Sequence, residues 1–405
     1  MSNLATYRLG DIATFVNGRA YSMPEMLLDG KYRIVRVGNF TGKDEWYYSN
    51  MELDADKYCE NGDLLYKWAC TFGPEIWTEE KAIYHYHIWK VIPNEKYISK
   101  DYLYYLLSFM TSKWMKAAHG STMVHITKEI MESNTVTIPV DINEQRLVAA
   151  QLNAIDAKID NNNAIAAELE GMAKDLYDYW FVQFDFPDEN GKPYKSSGGK
   201  MVWNDELKRE IPEGWEVDRL GKVCDTLLGG TPDTENALYW NGDIPWLNSG
   251  EVATSPVLNA EKTITKEGLK NSATSFASAG AVVMSITRYI RPSILGIDAC
   301  FNQSVIAVIP NEQIHSTYLY LFMLSQVERY MRLRTGAQQP HINKETVDST
   351  LITLPVDSVL NQFYDRVEPL FERQMIAMKE AKELESLRDF LLPMLMNGQV
   401  KVKGA

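Results

Sequence analysis

The sequence has little cysteine and no cysteine pair at metal-binding spacing. The four cysteines among its 405 residues are Cys59, Cys70, Cys224 and Cys300. None of them forms a C-x-x-C pair, so neither a zinc site nor a disulfide framework is supported. His85 and His87 are two residues apart, but two histidines without a third ligand make a poor metal site. We therefore expect no bound metal and a reducing compartment.

Long apolar segments are also missing. No run reaches the roughly 18 residues that a membrane-spanning helix needs. The first residues lack a basic stretch followed by an apolar core, so a secretory leader is not expected. Hydrophobic residues make up 45% of the chain and charged residues 23%, which is an ordinary globular mixture. We predict a cytoplasmic protein of two or more domains that has no contact with a membrane.

Motifs for nucleotide hydrolysis and methyl transfer are absent. The segment Gly229-Gly230-Thr231-Pro232 lacks the lysine of a phosphate-binding loop, and no G-x-G-x-x-G follows a strand. The Asn/Asp-Pro-Pro-aromatic motif of adenine methyltransferases does not occur either. We therefore expect no catalytic residues and no cofactor in this chain.

A basic surplus is the last feature that the sequence lacks. The formal net charge is −13, whereas a generic nucleic-acid binder usually carries more basic than acidic residues. This balance does not exclude a protein whose basic residues lie on one face. A nucleic-acid function would therefore need independent support.

The chain does contain an internal duplication. At a displacement of 216 residues, 14 of the 40 residues from 102 to 141 are identical to those from 318 to 357, without a gap. Upstream, Leu9-Gly10 returns as Leu220-Gly221, and the Ile-Pro-Asn-Glu at 92–95 returns at 309–312. Only one histidine pair, His125 and His341, recurs in this comparison, and we expect both to be structural.

The two halves share one layout. Each half has short runs rich in β-branched and aromatic residues, then a helical stretch, a loop with glycine, a short strand and a long helix. We predict domains at 1–140 and 213–356, long helices at 141–185 and 357–405, and a linker at 186–212. The predicted fold class is α+β, with two pseudo-symmetric α/β domains separated by two long antiparallel coiled-coil helices.

Both long helices carry a heptad repeat of apolar residues. Pro369 is expected to end or kink the second helix near its start. The first helix has seams at Val148, Ile155, Asn162, Leu169 and Leu176 and at Leu152, Ile159, Ala166, Ala173 and Trp180; the second has Phe363, Leu370, Ala377, Leu384 and Leu391, beside Val367, Gln374 and Ala381.

Each helix has one polar residue near the middle of a seam, Asn162 and Gln374. One hypothesis is that the two amides lie close together and fix the register of the antiparallel pair at some cost in stability. The alternative is that Asn162 simply belongs to the polar run Asn161–Asn163.

Several segments resemble the specificity subunits of Type I restriction-modification systems. LRDFLLPMLMNGQV (Leu387 to Val400) resembles the end of that family's second helix, and LYDYWFVQFDFP (Leu176 to Pro187) its central junction. GGTPDTENALYWNGDIPWLNSGEV (Gly229 to Val252) and CFNQSVIAVIP (Cys300 to Pro310) resemble the core of a target recognition domain. The resemblance covers nearly the whole chain and is weakest at 15–75.

The resemblance implies a subunit that reads an asymmetric, bipartite site in double-stranded DNA and performs no chemistry itself. Its two target recognition domains would each bind a few base pairs in the major groove, and the paired helices would set the gap between the half-sites. Two methyltransferase subunits would supply S-adenosylmethionine and methylate adenine. Restriction subunits would add ATP- and magnesium-dependent translocation and cutting.

Base readout requires polar or basic side chains on loops that can enter a groove. We expect the loops Thr287–Arg291 and Gln338–His341 in the second half, with counterparts at Lys67–Gly73 and Gly120–His125 in the first. The candidate DNA-contacting residues are Asn39, Thr41, Lys43, Lys67, Thr71, Ser121, Thr122, Asn248, Ser249, Thr287, Arg288, Tyr289, Arg291, Gln338 and Gln339.

Two other functions remain open from the sequence. A coiled-coil scaffold whose globular ends bind proteins would suit the acidic charge, and a nuclease with an unfamiliar site is the third class. Salt-dependent, sequence-selective DNA binding would separate the first function from the scaffold.

Overall fold

The structure, a computed structural model, describes residues 3–42, 45–117, 126–336, 340–400 and 402. Contacts between residues divide the chain into two compact units. The first unit is Met1–Ile159 with Glu383–Ala405, and the second is Asp160–Lys382. Both long helices are therefore shared between the units. No described helix combines the length and the apolar character that crossing a membrane would require.

The first unit is built from two four-stranded sheets and one strand pair. The sheet orders are β2-β9-β6-β7 and β4-β3-β8-β5, and β1 pairs with β10. The strands are β1 (Leu4–Arg8), β2 (Ala13–Asn17), β3 (Tyr32–Val35), β4 (Tyr47–Ser49), β5 (Tyr58–Cys59), β6 (Leu64–Ala69), β7 (Thr71–Ile76), β8 (Ala82–Tyr84), β9 (Ile88–Pro93) and β10 (Thr135–Pro139). The helices are α1 (Leu9–Ile12), α2 (Lys100–Ala117), α3 (Lys128–Ser133) and α4 (Ile142–Tyr177).

The second unit repeats this plan and adds a hairpin. The strands are β11 (Met201–Asn204), β12 (Arg209–Pro212), β13 (Glu216–Arg219), β14 (Thr226–Leu228), β15 (Trp240–Leu247), β16 (Lys262–Ile264), β17 (Ser275–Ala277), β18 (Val282–Ser285), β19 (Pro292–Ile294), β20 (Ala299–Phe301), β21 (Val305–Val308) and β22 (Leu351–Leu354). The helices are α5 (Leu220–Val223), α6 (Lys266–Lys270), α7 (Ser316–Ser325), α8 (Val327–Leu333), α9 (Lys344–Asp348) and α10 (Asp357–Met396).

The strand topology of the two units is the same, which confirms the duplication seen in the sequence. The sheets of the second unit have the orders β14-β21-β18-β19 and β16-β15-β20-β17, and β13 pairs with β22. Each strand from β2 to β9 thus corresponds to the strand twelve places later. The parallel strand pairing also recurs, since β3 pairs in parallel with β8 and β15 with β20.

A glycine directly after β2, and its counterpart directly after β14, marks a shared close approach of two backbones. A Cβ on Gly18 would lie 2.4 Å from the backbone oxygens of Tyr84 and His85, and one on Gly229 would lie 2.2 Å from that of Asn302. Real Cβ atoms do not come this close, so any side chain would force the two loops apart. The duplicated loops therefore depend on glycine at this position.

The helices α4 and α10 are antiparallel where they meet within each unit. In the second unit Glu170 contacts Gln374 and, further along α4, the ring of Tyr177 faces that of Phe363 at 6.4 Å, so the numbering rises in one helix as it falls in the other. In the first unit Asp156 pairs with Arg388, and Leu152 shares a core cluster with Leu395, in the same sense. Most of the predicted seam residues are buried, including Leu152, Ile159, Ala166, Ala173, Val367, Ala377 and Ala381. The heptad repeat is therefore the packing surface.

Pro369 does not end α10, which runs without interruption from Asp357 to Met396. Proline removes one backbone N–H and its hydrogen bond. The neighbouring Val367 is fully buried and Leu370 is packed against the core of the second unit. Packing of the flanking turns holds the helix together across the missing bond, and the expectation that the helix would end here was wrong.

The two seam amides do not pair with each other. Gln374 Nε2 donates to Glu170 Oε2 at 3.4 Å, and Glu170 also accepts from the hydroxyl of Tyr320. Asn162 is 8% exposed, and its Nδ2 atom has no hydrogen-bond partner among the residues that the structure describes. Glu170, the partner of Gln374, lies about two helical turns after Asn162 on α4. The two amides are therefore at different heights along the helix pair.

Two hydrogen-bonded networks, each centred on a carboxylate of α4, link α4 to α10. We define the first helix network as Tyr105, Asp156 and Arg388, in which the tyrosine hydroxyl donates to Asp156 at 2.6 Å and Arg388 pairs with Asp156 at 3.0 Å. The second helix network is Tyr320, Glu170 and Gln374. Burial and the nearby carboxylate raise the pKa of both tyrosines, so each stays a hydrogen-bond donor.

The predicted linker is an ordered part of the second unit. It contains the antiparallel hairpin of β11 and β12. Phe186 stacks on Tyr194 at 4.6 Å and on Trp215 at 5.3 Å, within the main core of that unit. Although the segment is mostly polar, its aromatic side chains pack against the core and hold it in a fixed position.

Candidate nucleic-acid interface

The loop between β18 and β19 is held by backbone hydrogen bonds from a second segment. The N–H of Arg288 donates to the carbonyl of Pro340 at 3.0 Å, and the N–H of Ile342 donates to that of Ile286 at 3.0 Å. The guanidinium of Arg334 donates to the carbonyl of Arg288 at 2.5 Å. Ile290 is buried and anchors the loop from below. The backbone of this loop is therefore fixed while its other side chains stay outside.

The exposed side chains of this loop are suited to contact DNA. Arg288 has a left-handed backbone with φ of 55°, which is rare for a residue other than glycine, asparagine or aspartate. Its side chain is exposed and forms no ion pair with any residue that the structure describes. Tyr289 is 69% exposed, and the Arg291 guanidinium lies 5.8 Å from the centre of its ring. Two exposed arginines and an aromatic ring are thus grouped on this loop.

The candidate contact residue Ser249 lies next to this loop. It lines a cavity of about 260 Å³ together with Thr287, Arg288, Tyr289 and Arg291. Asn248 has a different role, because its side-chain oxygen accepts from the N–H of Gly250 at 2.7 Å and shapes the turn. The structure therefore groups five of the predicted residues at one surface of the second unit.

Basic residues are concentrated beside this surface, although the whole chain is acidic. Helix α8 contains Arg329 and Arg332, and Arg334 comes directly after its last residue. The nearby acidic residue Glu328 is paired with Arg332 at 3.3 Å. Helix α8 lies next to the loop, since its residues line a cavity together with Tyr289 and Arg291. The net charge of −13 is thus compatible with a local basic surface.

The matching hairpin of the first unit joins β6 to β7 through Cys70. Cys70 is exposed and has a left-handed backbone with φ of 65°. The neighbouring Thr71 is exposed, as a contact residue should be. Lys67 is 6% exposed, and its amine pairs with Glu75 at 2.5 Å. Lys67 therefore serves the hairpin itself and is not available as a groove-reading cation.

The side chains of Asn39 and Thr41 form hydrogen bonds within their own loop. The Asn39 side chain accepts from the N–H of Arg36 at 2.9 Å and donates to the carbonyl of Glu45 at 3.0 Å. The hydroxyl of Thr41 is exposed and donates to the carbonyl of Gly38 at 2.9 Å. Asn39 is a turn-forming residue here, whereas Thr41 is accessible. Five other candidates lie outside the described residues: Lys43, Ser121, Thr122, Gln338 and Gln339.

Cys70 and Arg288 occupy equivalent positions in the two units. The N–H of Trp68 donates to the carbonyl of His87 at 3.1 Å, and that of Ile286 donates to the carbonyl of Ser304 at 2.9 Å. Two residues beyond each donor comes the left-handed residue, Cys70 or Arg288. The hairpins expected to correspond thus do so residue by residue, which the sequence alignment alone did not show.

A second turn lies beside each hairpin. We define the first tip as Trp68–Thr71 with the turn His85–His87, and the second tip as Ile286–Arg291 with the turn Asn302–Ser304. The ring of Trp68 meets that of His87 at 5.2 Å, and the rings of His85 and His87 are 4.7 Å apart. In the second tip the hydroxyl of Thr231 donates to Gln303 at 2.6 Å. One tip is aromatic and the other carries guanidinium and amide groups.

The histidines of the first tip lie in a turn rather than along a strand. Burial, with a smaller contribution from His87, lowers the pKa of His85 to about 4, so its ring is neutral near pH 7. Among the described residues, no three histidine, cysteine, aspartate or glutamate side chains come together as a metal-binding group would. Neither this turn nor Arg334 was predicted as part of the surface, because both reach it only once the hairpins are folded.

Comparison with known proteins supports one assignment for both units. The family model described as the Type I restriction modification DNA specificity domain matches residues 1–171 and 212–386. The specificity subunit of the Type I restriction enzyme MjaIX from Methanocaldococcus jannaschii is 25% identical over 320 residues, covering 77% of this chain and 72% of the relative. That of HindI from Haemophilus influenzae is 22% identical over 468 residues, covering 99% of this chain and all of the relative.

A solved structure has the same fold over the whole chain. The S subunit of a Type I restriction-modification system from M. genitalium aligns with a TM-score of 0.55 at 14% sequence identity, covering 100% of this chain and 97% of that one. The fold agrees with the duplicated topology and the two long helices described above. Because the family model matches both units, this chain belongs to the Type I restriction-modification DNA specificity family.

Proposed function

We propose that this chain is the DNA-reading subunit of a Type I restriction-modification complex and that it reads an asymmetric, bipartite site. The observation that carries the proposal is the pair of tips. Two domains of the same topology expose different side chains at equivalent positions. Two similar readers on one chain act as a pseudo-dimer, and because their tips differ, their half-sites differ.

Each tip would work by placing a fixed backbone against base edges in the major groove. The groove of B-DNA is about 12 Å wide and admits a two-stranded β-ribbon such as the β18–β19 hairpin. The backbone bonds to Pro340 and Arg334 hold this hairpin before DNA arrives, so little ordering is left to occur on binding. Nearby cations such as Arg329 and Arg332 would contact phosphates and add affinity without choosing a sequence.

The chemistry would belong to partner subunits. Two methyltransferase subunits would bring S-adenosylmethionine, and restriction subunits would bring ATP- and magnesium-dependent cutting. Large apolar side chains are exposed on the long helices, and exposed apolar surface of this kind marks a site where another protein binds. They are Leu147, Met172, Ile376, Leu387 and Phe390, which are 39%, 53%, 66%, 44% and 64% exposed.

Adenine methylation mapped across a genome tests this function directly. Cells that carry the methyltransferase partner with this chain should show one bipartite methylated motif, and cells without this chain should lose it. A purified complex should bind that motif with an affinity that falls steeply with salt. Methylation that does not depend on this chain, or that lacks a second half-site, would contradict the proposal.

A further inference from the structure

The two hairpins place an exposed, left-handed residue at the same position, Cys70 in the first unit and Arg288 in the second. We propose that the left-handed residue of each hairpin is a specificity-determining position, with Arg288 selecting a guanine in the half-site of the second domain. Cys70, at the same position, leaves the half-site of the first domain without that contact. This inference rests on the proposed function and adds to it the base that one tip reads.

The position of Arg288 suits direct readout. Its N–H and its carbonyl are both used, by Pro340 and Arg334, so its Cα is held from two sides. Its side chain has no acidic partner among the described residues and therefore loses no ion pair when it enters a groove. Arginine bound through two hydrogen bonds to O6 and N7 of guanine is the commonest specific contact in the major groove.

The left-handed backbone adds a second argument. A φ of 55° costs energy for arginine and persists only when the surroundings impose it. A glycine would adopt this conformation without strain, so the arginine is not explained by the turn alone. Every described contact of Arg288 runs through its backbone, which leaves the guanidinium without a structural duty.

Cys70 provides the internal comparison. It has the same backbone conformation and is exposed, but it is followed by Thr71 and flanked by Trp68 and the turn His85–His87. None of these side chains offers the two parallel donors that guanine accepts. Apolar groups of this kind contact the methyl group of thymine. The first tip is therefore chemically unsuited to the contact that Arg288 makes.

The test is to map methylated adenines in cells carrying the complete system with variants of this chain. Arg288→Ala should relax one base position of the second half-site, with a loss of discrimination of roughly 5- to 150-fold there. Arg288→Lys should relax the same position, because lysine keeps the charge but not the two parallel donors. The first half-site should stay unchanged in both variants.

The reciprocal change is Cys70→Arg, with Cys70→Ser as its control. Arginine at this position should create a preference for guanine at one position of the first half-site, and serine should not. Lys208→Ala, in the exposed hairpin of β11 and β12, controls for the loss of a positive charge and should leave the motif intact.

The outcomes separate this inference from the proposed function. If methylation stays bipartite and dependent on this chain while the Arg288 variants keep the full original motif, the assignment of Arg288 is wrong and the function stands. If the motif does not depend on this chain at all, the proposed function is wrong. Relaxation of the first half-site by Arg288→Ala would also overturn the assignment.

Discussion

The two tips show how a duplicated fold can acquire two specificities. Strand order, the parallel pairing and the left-handed residue are the same in both units. Among the residues that differ at equivalent positions are Cys70, His85 and His87 in one tip and Arg288, Asn302 and Ser304 in the other. The backbone of each domain is therefore determined by packing in its core, whereas the exposed residues of its tip can vary with the DNA target.

The largest expected effect comes from the two glycines that occupy the same position in the two units. Gly18→Ala and Gly229→Ala should each lower the free energy of unfolding of their own unit by about 3 kcal/mol, because the new Cβ would meet backbone oxygens. Calorimetry of the complex should show one destabilised transition in each variant. Gly171→Ala is the control, since nothing lies within 4 Å of a Cβ there and the helix should gain up to about 1 kcal/mol. If all three variants had similar stability, the two loops would not require glycine at this position.

The second effect distinguishes the tips by their response to acid. The pKa of His85 is about 4 in the folded chain and about 6.5 when unfolded, so the unfolded chain takes up the proton first. The free energy of unfolding of the first unit should therefore fall as the pH drops from about 6.5 towards 4. The contribution of His85 should be about 2 kcal/mol, allowing for its partial exposure.

The His85→Gln variant isolates this contribution, because other groups titrate in the same range. Denaturant unfolding at pH 7 and at pH 4.5 should show a smaller loss of stability in the variant than in the unchanged chain. The matching position of the second unit is Asn302, which does not titrate, so Asn302→Ala should leave the acid response as it was. An equal loss of stability in the His85 variant would show that this ring is already protonated when folded.

The third effect sharpens the comparison of the helix networks. Asp156→Ala should cost about 2 kcal/mol, because the partly buried Arg388 would keep only Asp389 and the Tyr105 hydroxyl only Asn153 as an acceptor. Gln374→Ala should cost less, about 1 kcal/mol, because it removes one long hydrogen bond to Glu170. Chemical denaturation measures both. The reverse order would show that the second network is the stronger constraint on the helix pair.

The smallest effect tests the unpaired amide. Asn162→Leu should raise the free energy of unfolding by about 1 kcal/mol, since it removes a buried polar group without a partner and adds an apolar seam residue. Its control is Asn163→Leu on the exposed side of α4, which should change stability little. A destabilised Asn162→Leu would mean that this amide has a partner in the assembled protein.

The sequence predicted those features that repeat along the chain. The duplication and the heptads appear in residue identity and spacing, so the two domains and the antiparallel helices were predicted correctly. The pairing of Asn162 with Gln374 was wrong because the axial offset between two helices is set by contacts such as Asp156 with Arg388, which neither seam encodes.

Individual contact residues were harder to predict, because exposure is decided by tertiary packing. Lys67 looked like a groove-reading cation, but the fold buries it against Glu75. Arg288 was predicted as a contact, yet its equivalence to Cys70 required the strand pairings of both hairpins. Arg334 was missed because its role is to hold another loop through a backbone carbonyl, which leaves no local pattern in the sequence.

Thiol protection tests most directly whether each tip covers its own half-site. Cys70 is the one exposed cysteine, since the other three are buried, so its alkylation in the complex with the methyltransferase partner reports on the first tip. A chain with Cys70→Ser and Gln303→Cys moves the same probe to the second tip and keeps Arg288. We predict that DNA with an altered first half-site fails to protect Cys70 while still protecting the probe at 303, and that altering the second half-site does the reverse. Equal protection of both probes by either DNA would contradict the account.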